Sequence, residues 1–180
     1  MEKTNIEYFN YYQKLFVNSI IDTFPEYKEV LTEYYSDLIS NETCNDDKYV
    51  KRFMKKMKDY KSQISKKDES IFSESIFVLK NVDFKNIWEN SELSVNNKNQ
   101  IWEYLQTMYV LGETIISDSD RVQRLVKNFQ RLKNNEDNVS EEMTDEDKDM
   151  MEMLKNLSQN QEQSENPLPE SFFKDGMIGK

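Results

Sequence analysis

Apolar side chains recur along most of this chain at helical rather than strand spacing. Between Thr4 and Thr23, Tyr8, Phe9, Tyr12, Leu15, Phe16, Ile20 and Ile21 fall on one side of a helix of 3.6 residues per turn. Pro25 suits the first turn of a second helix, where its missing N–H costs nothing, and Glu26 and Glu29 suit the positive end of the helix dipole. Val30, Leu31, Tyr34, Tyr35 and Leu38 would be its inner face, and residues 41–47 read as a loop. A third helix is expected from Asp46 to about Ser65, with Val50, Phe53, Met54, Met57, Tyr60 and Ile64 inward. Asp68 or Ser70 should cap a fourth helix with Phe72, Ile76 and Leu79 inward, and Asp83 a short one carrying Phe84, Ile87 and Trp88. Ser94 is the clearest helix start, because its hydroxyl can accept from an N–H that the first turn leaves unpaired. The helix behind it is apolar on most of its circumference (Ile101, Trp102, Tyr104, Leu105, Met108, Tyr109, Leu111, Ile115, Ile116), leaving Glu103, Gln106, Thr107 and Glu113 as a narrow wet face. A last helix from about Arg121 to Lys133 places Val122, Leu125, Val126, Phe129 and Leu132 inside.

The pattern therefore predicts an all-α protein, a compact bundle of about six helices over residues 1–134. The most continuous stretch, 84–112, should form its centre, with Phe84, Trp88, Trp102 and Leu105 as core anchors. Aromatics at helical spacing ordinarily belong to a core, so they are not read as a cage for a base or a methylated lysine. After Asn134 the composition breaks. Residues 135–180 hold thirteen Asp and Glu against four Lys, net −9, whereas residues 1–134 hold twenty-one against twenty, net −1. The C-terminal part thus reads as an acidic, largely disordered arm with one short helix at about 144–157, where Met150, Met151, Met153, Leu154 and Leu157 make an apolar face behind Thr144 and Asp147.

Charge is as unevenly spread inside the bundle. Between residues 48 and 67, nine Lys and Arg face Asp59 alone, net +8 in twenty residues. Such a face is either a lysine-rich solvated surface or a grip for an anionic partner, since its density repels itself and asks for counter-charge. Lys51, Arg52, Lys55 and Lys58 are the candidates there. Arg121, Arg124, Lys127 and Arg131 form a second stripe, holding three of the four arginines in the protein. Arginine pairs bidentately with phosphate or carboxylate, so this stripe, ahead of the lysine face, is the expected site for a specific anionic contact, unless it is a plain solvent face. The acidic arm is expected to fold back on the basic third helix and compete with an outside anion.

Candidate catalytic chemistry is thin. The chain has no histidine, which removes the commonest general base and metal ligand. Cys44 is alone, so no internal disulfide is possible and a reducing compartment, the cytoplasm, is expected. Asp145, Asp147 and Asp149 alternate like a calcium loop, yet Met150 and Asn156 stand where such a loop needs glycine and glutamate. No glycine-rich phosphate loop can be built from three glycines, two of them in the last five residues. No cofactor, metal or catalytic residue is assigned, and an enzyme is not expected. The opening residues do not form a signal peptide, and no apolar run approaches membrane-spanning length.

Two stretches also resemble a recurring segment in uncharacterised proteins of large double-stranded DNA viruses that infect algae and amoebae. The first is Phe84-Lys85-x-Ile87-Trp88, the Leu93-Ser94 corner and NKNQIWEYLQTMYVLG at 97–112; the second is FVNSIIDTFPEYKEVL at 16–31. Together they cover about a quarter of the chain. The resemblance implies a place, the viral factory or virion in a host cytoplasm, and no chemistry. The expected function is a non-enzymatic interaction or scaffold protein with a protein partner, bound through basic helix faces and a flexible acidic arm. The alternative is a nucleic-acid-associated protein holding phosphates through helix 48–67 and the arginine stripe at 121–131.

Overall fold

The computed structural model describes residues 4–116, 124, 125, 127 and 145–160. The described residues are all-α, without a β-strand. Helix α1 spans Asn5–Thr23, α2 Lys28–Ser40, α3 Lys48–Met57, α4 Lys61–Lys66, α5 Phe84–Glu89, α6 Val95–Ile116 and α7 Asp145–Asn160. A 3₁₀ turn at Pro25–Tyr27 leads into α2, as the proline's position requires.

Helix α6 is the axis of the fold. It packs along α1 and also meets α3, α4 and α7. Ser94 starts it as expected: its Oγ accepts from the Asn97 N–H at 3.0 Å, and its own N–H donates to Asn97 Oδ1 at 3.2 Å. Thr4 caps α1 with the same reciprocity, through Glu7. Phe84, Leu105 and Trp102 are buried anchors, and Trp88 is half-buried, stacked on Phe72 with centroids 4.3 Å apart. Gln106 and Thr107 are buried rather than wet. The reason is tertiary: Gln106 Nε2 donates to the Ile64 carbonyl at 3.0 Å, at the C-terminal end of α4 where helical carbonyls lack internal partners.

The expected third helix is broken. A 3₁₀ turn at Lys58–Tyr60 separates α3 from α4, with Met57 and Tyr60 drawn towards ψ near zero. Tyr109 Oη donates to the Lys58 carbonyl at 3.3 Å, so a side chain of α6 occupies an acceptor that a continuous helix would use internally.

The fourth helix is not there. Residues 69–72 make a single 3₁₀ turn, and 73–83 run as a non-helical loop. Phe72, Ile76 and Leu79 are buried as expected, but so are Ile71, Val78 and Val82, which a helix would have spread around its circumference. Serines and an aspartate win over the helix because they offer the backbone other partners. Ser73 Oγ donates to the Ser70 carbonyl, while Asp83 Oδ1 accepts from both the Ile76 and Lys85 N–H groups at 3.0 Å. Residues 79–82 then close a β-turn, the Val82 N–H donating to the Leu79 carbonyl, with Asn81 at φ 63° in the position that tolerates it.

The helix expected at about 144–157 is α7, and its apolar face enters the core: Met150, Met151, Met153, Leu154 and Leu157 are all buried. It lies against α4 and α6. Ser65 Oγ donates to Asp149 Oδ1 at 3.1 Å, and Asn156 Nδ2 donates to the Ser65 carbonyl at 3.4 Å. The boundary expected at 134/135 and the rest of the arm fall outside the described residues.

Candidate anion-binding face

The basic segment folds so that its lysines share one surface with the 73–83 loop. On α3, Tyr49, Val50, Phe53, Met54 and Met57 are buried, which turns Lys48, Lys51, Lys55 and Lys56 out to solvent, and Lys58, exposed too, opens the 3₁₀ turn that follows. Lys51 and Lys55 stand at i and i+4, roughly 6 Å apart along the axis. Lys51 is compensated in place by Asp47, Nζ to Oδ2 2.8 Å, which holds its ammonium above the ordinary lysine value. Among the described residues no carboxylate pairs with Lys55, Lys56 or Lys58, and these three are the open charges of the face.

Arg52 has a different task. Half-buried, it donates from Nη1 to the Val78 carbonyl at 3.0 Å and from Nη2 to the Phe77 carbonyl at 2.9 Å. A planar fork suits two neighbouring carbonyls as well as it suits a carboxylate. Arg52 therefore fixes the loop on the helix, with Lys48, Lys55 and Lys56 as its neighbours at i−4, i+3 and i+4.

Sequence reasoning missed the loop's own share of this face. Lys80 is held by its backbone, whose N–H donates to Tyr35 Oη at 3.0 Å, and its ammonium lies 5.1 Å from the Tyr34 ring centroid. Lys48 Nζ lies 5.7 Å from the same ring and 5.0 Å from that of Tyr49. Two exposed ammonium groups, from α3 and from the loop, thus converge on one tyrosine. Tyr49 above all, with Asp46 and Asp37 adding to it, keeps the Lys48 ammonium above its ordinary value against the desolvation that would lower it. Tyr35 sits beneath: burial pushes its phenol up, and the Arg52 guanidinium and the Lys80 N–H pull partly the other way. Phe77 completes the surface, 42 % exposed at the outer edge of the loop. The signals that could have found it were the Ser70, Ser73, Ser75 cluster and Asn81, all weaker helix formers that favour turns.

The second stripe is only partly described. Arg124 and Lys127 are helical and exposed, and Leu125 between them is buried in the core cluster. Arg121 and Arg131 lie outside the described residues. Helix α7 meets α4 through its apolar face and the Ser65 contacts, and none of the described ion pairs, Lys51–Asp47, Lys61–Glu113 and Lys85–Glu89, joins it to the lysines of the basic segment. Among the described residues no group of three or more Cys, Asp or Glu is placed to hold a metal ion, and no helix is long and apolar enough to cross a membrane.

Comparison with protein-family models, curated proteins and solved structures finds no match for this chain.

Proposed function

We propose that this chain is a non-enzymatic helical interaction protein that engages an anionic partner through the joint face of α3 and the 73–83 loop. One observation carries the reading: Lys55, Lys56 and Lys58 are exposed and, among the described residues, without carboxylate partners, on a segment whose other side is locked into the core. Self-repulsion of such a row is relieved when an outside anion arrives, so the free energy stored in the cluster favours association. The setting in a viral factory or virion is proposed on the sequence resemblance alone.

The test is binding of full-length protein to poly-glutamate and to heparin at low ionic strength, compared with the triple charge reversal Lys55→Glu, Lys56→Glu, Lys58→Glu. Wild-type binding that weakens as salt rises, and disappears in the reversed variant, is the expected result. An intact fold that binds neither polyanion at low salt defeats the proposal.

A further inference from the structure

We infer that the partner of this face is single-stranded nucleic acid, held at its phosphates by Lys48, Lys55, Lys58 and Lys80 and stacked through a base on Phe77. The inference rests on the interaction reading above and adds the chemical class of the ligand.

Phe77 is what separates this class from other polyanions. The six other described phenylalanines, Phe9, Phe16, Phe24, Phe53, Phe72 and Phe84, are buried. Phe77 is held outside by its own backbone: Arg52 binds its carbonyl and the next, Val78 and Leu79 are fully buried, and Tyr35 fixes the Lys80 N–H. Those anchors fix the backbone of Phe77 at the surface. Among the described residues the other two exposed large apolar side chains, Val95 and Ile116, are the end residues of α6. The helix that binds its carbonyl is cationic: Lys48, Lys55 and Lys56 flank Arg52 at i−4, i+3 and i+4, while in the loop itself Glu74 stands three residues before Phe77 and Lys80 three residues after it.

An exposed ring on a loop clamped to a lysine-bearing helix suits a ligand that offers negative charge and flat apolar faces by turns. Single-stranded nucleic acid does this, and base stacking on an aromatic side chain is tolerant of sequence. A duplex keeps its base faces inside the stack, where Phe77 does not reach. A flexible acidic peptide supplies charge but has no pocket to receive the ring, and would leave it in water. Lysine point charges suit a backbone tracked without geometric selectivity, whereas the one arginine on α3 is already turned to carbonyls.

The experiment is fluorescence anisotropy of labelled oligo-dT with the full chain, across a salt series, with an equally long duplex and poly-glutamate as competitors. Oligo-dT binding should weaken log-linearly with salt, and the duplex should compete poorly. Phe77→Ala should weaken binding by about 5- to 150-fold with the salt slope unchanged, while Phe77→Trp retains it. Lys55→Gln with Lys58→Gln should instead flatten the slope by about 1.4. Phe77 is exposed, so its variants should keep the wild-type unfolding midpoint, and that measurement accompanies each titration. Equal oligo-dT affinity for Phe77→Ala and wild type, or equal competition by the duplex, overturns the inference. If poly-glutamate binds through Lys55 and Lys58 while oligo-dT does not bind, the nucleic-acid inference fails and the interaction face stands. If neither anion binds, both fail.

Discussion

Replacing Arg52 by methionine removes the guanidinium while keeping most of its aliphatic stem, and so isolates the clamp on the loop. Two charge-assisted bonds are lost. The one to the Val78 carbonyl is partly buried and should contribute about 2 kcal/mol; the one to the Phe77 carbonyl is exposed, where water replaces it, and contributes about 1 kcal/mol. Against this, the substitution removes a cation from among Lys48, Lys55 and Lys56, relieving a few tenths of a kcal/mol for each like-charge neighbour, about 1 kcal/mol together. The net expectation is a loss of about 2 kcal/mol, a fall of about 4–8 °C in unfolding temperature for a chain of this size. Lysine at this position keeps the repulsion and reaches one carbonyl at a time, so Arg52→Lys should also destabilise, by about 1 kcal/mol. Urea unfolding followed by tryptophan fluorescence gives the global figure. Amide exchange from Val78 to Lys80 gives the local one, which should accelerate about 30-fold if the loop opens by itself. Arg52→Met with unchanged stability and unchanged exchange in that segment would refute the clamp, and with it the claim that Phe77 is held out by its backbone.

Three further outcomes follow from the same structure. Ser94→Ala should cost about 1 kcal/mol, read as a lower urea midpoint at constant slope, because the Asn97 N–H loses its cap at the start of α6. Leu154→Ala should cost about 2–5 kcal/mol of α7 docking, since this side chain is fully buried against the bundle; proteolysis or amide exchange within 145–160 that matches wild type would contradict it. Burial holds the Tyr12 and Tyr35 phenols above the ordinary value of 10.0 that they regain on unfolding. Their contribution is therefore fully present below pH 10 and is lost as pH rises beyond it, so the urea midpoint should fall between about pH 10 and pH 12. A midpoint that is flat across that interval, or rises, would count against these buried phenols.

The amphipathic rhythm decided most of what is regular here. Where apolar residues recur at helical spacing behind a good cap, as after Thr4, Asp83 and Ser94, the helix forms where the pattern sets it, because local hydrogen bonds and burial ask for the same geometry. The lysine surplus between residues 48 and 67, and the apolar face of α7, were legible for the same reason: each is a property of one helix. What the sequence alone could not decide were the places where a distant side chain offers the backbone a better partner than its own helix does. Tyr109 takes the Lys58 carbonyl and breaks the basic helix; Gln106 turns inward to cap the end of α4. Arg52 and Tyr35 hold residues 77–80 as a loop, where Phe72, Ile76 and Leu79 alone read as a helix. Lys48 and Lys80 stand more than thirty positions apart in the chain, and only packing brings both over Tyr34. Burial is a sum over near neighbours that one strand of sequence already encodes; partner choice for a polar group depends on which residues the closed fold carries into reach.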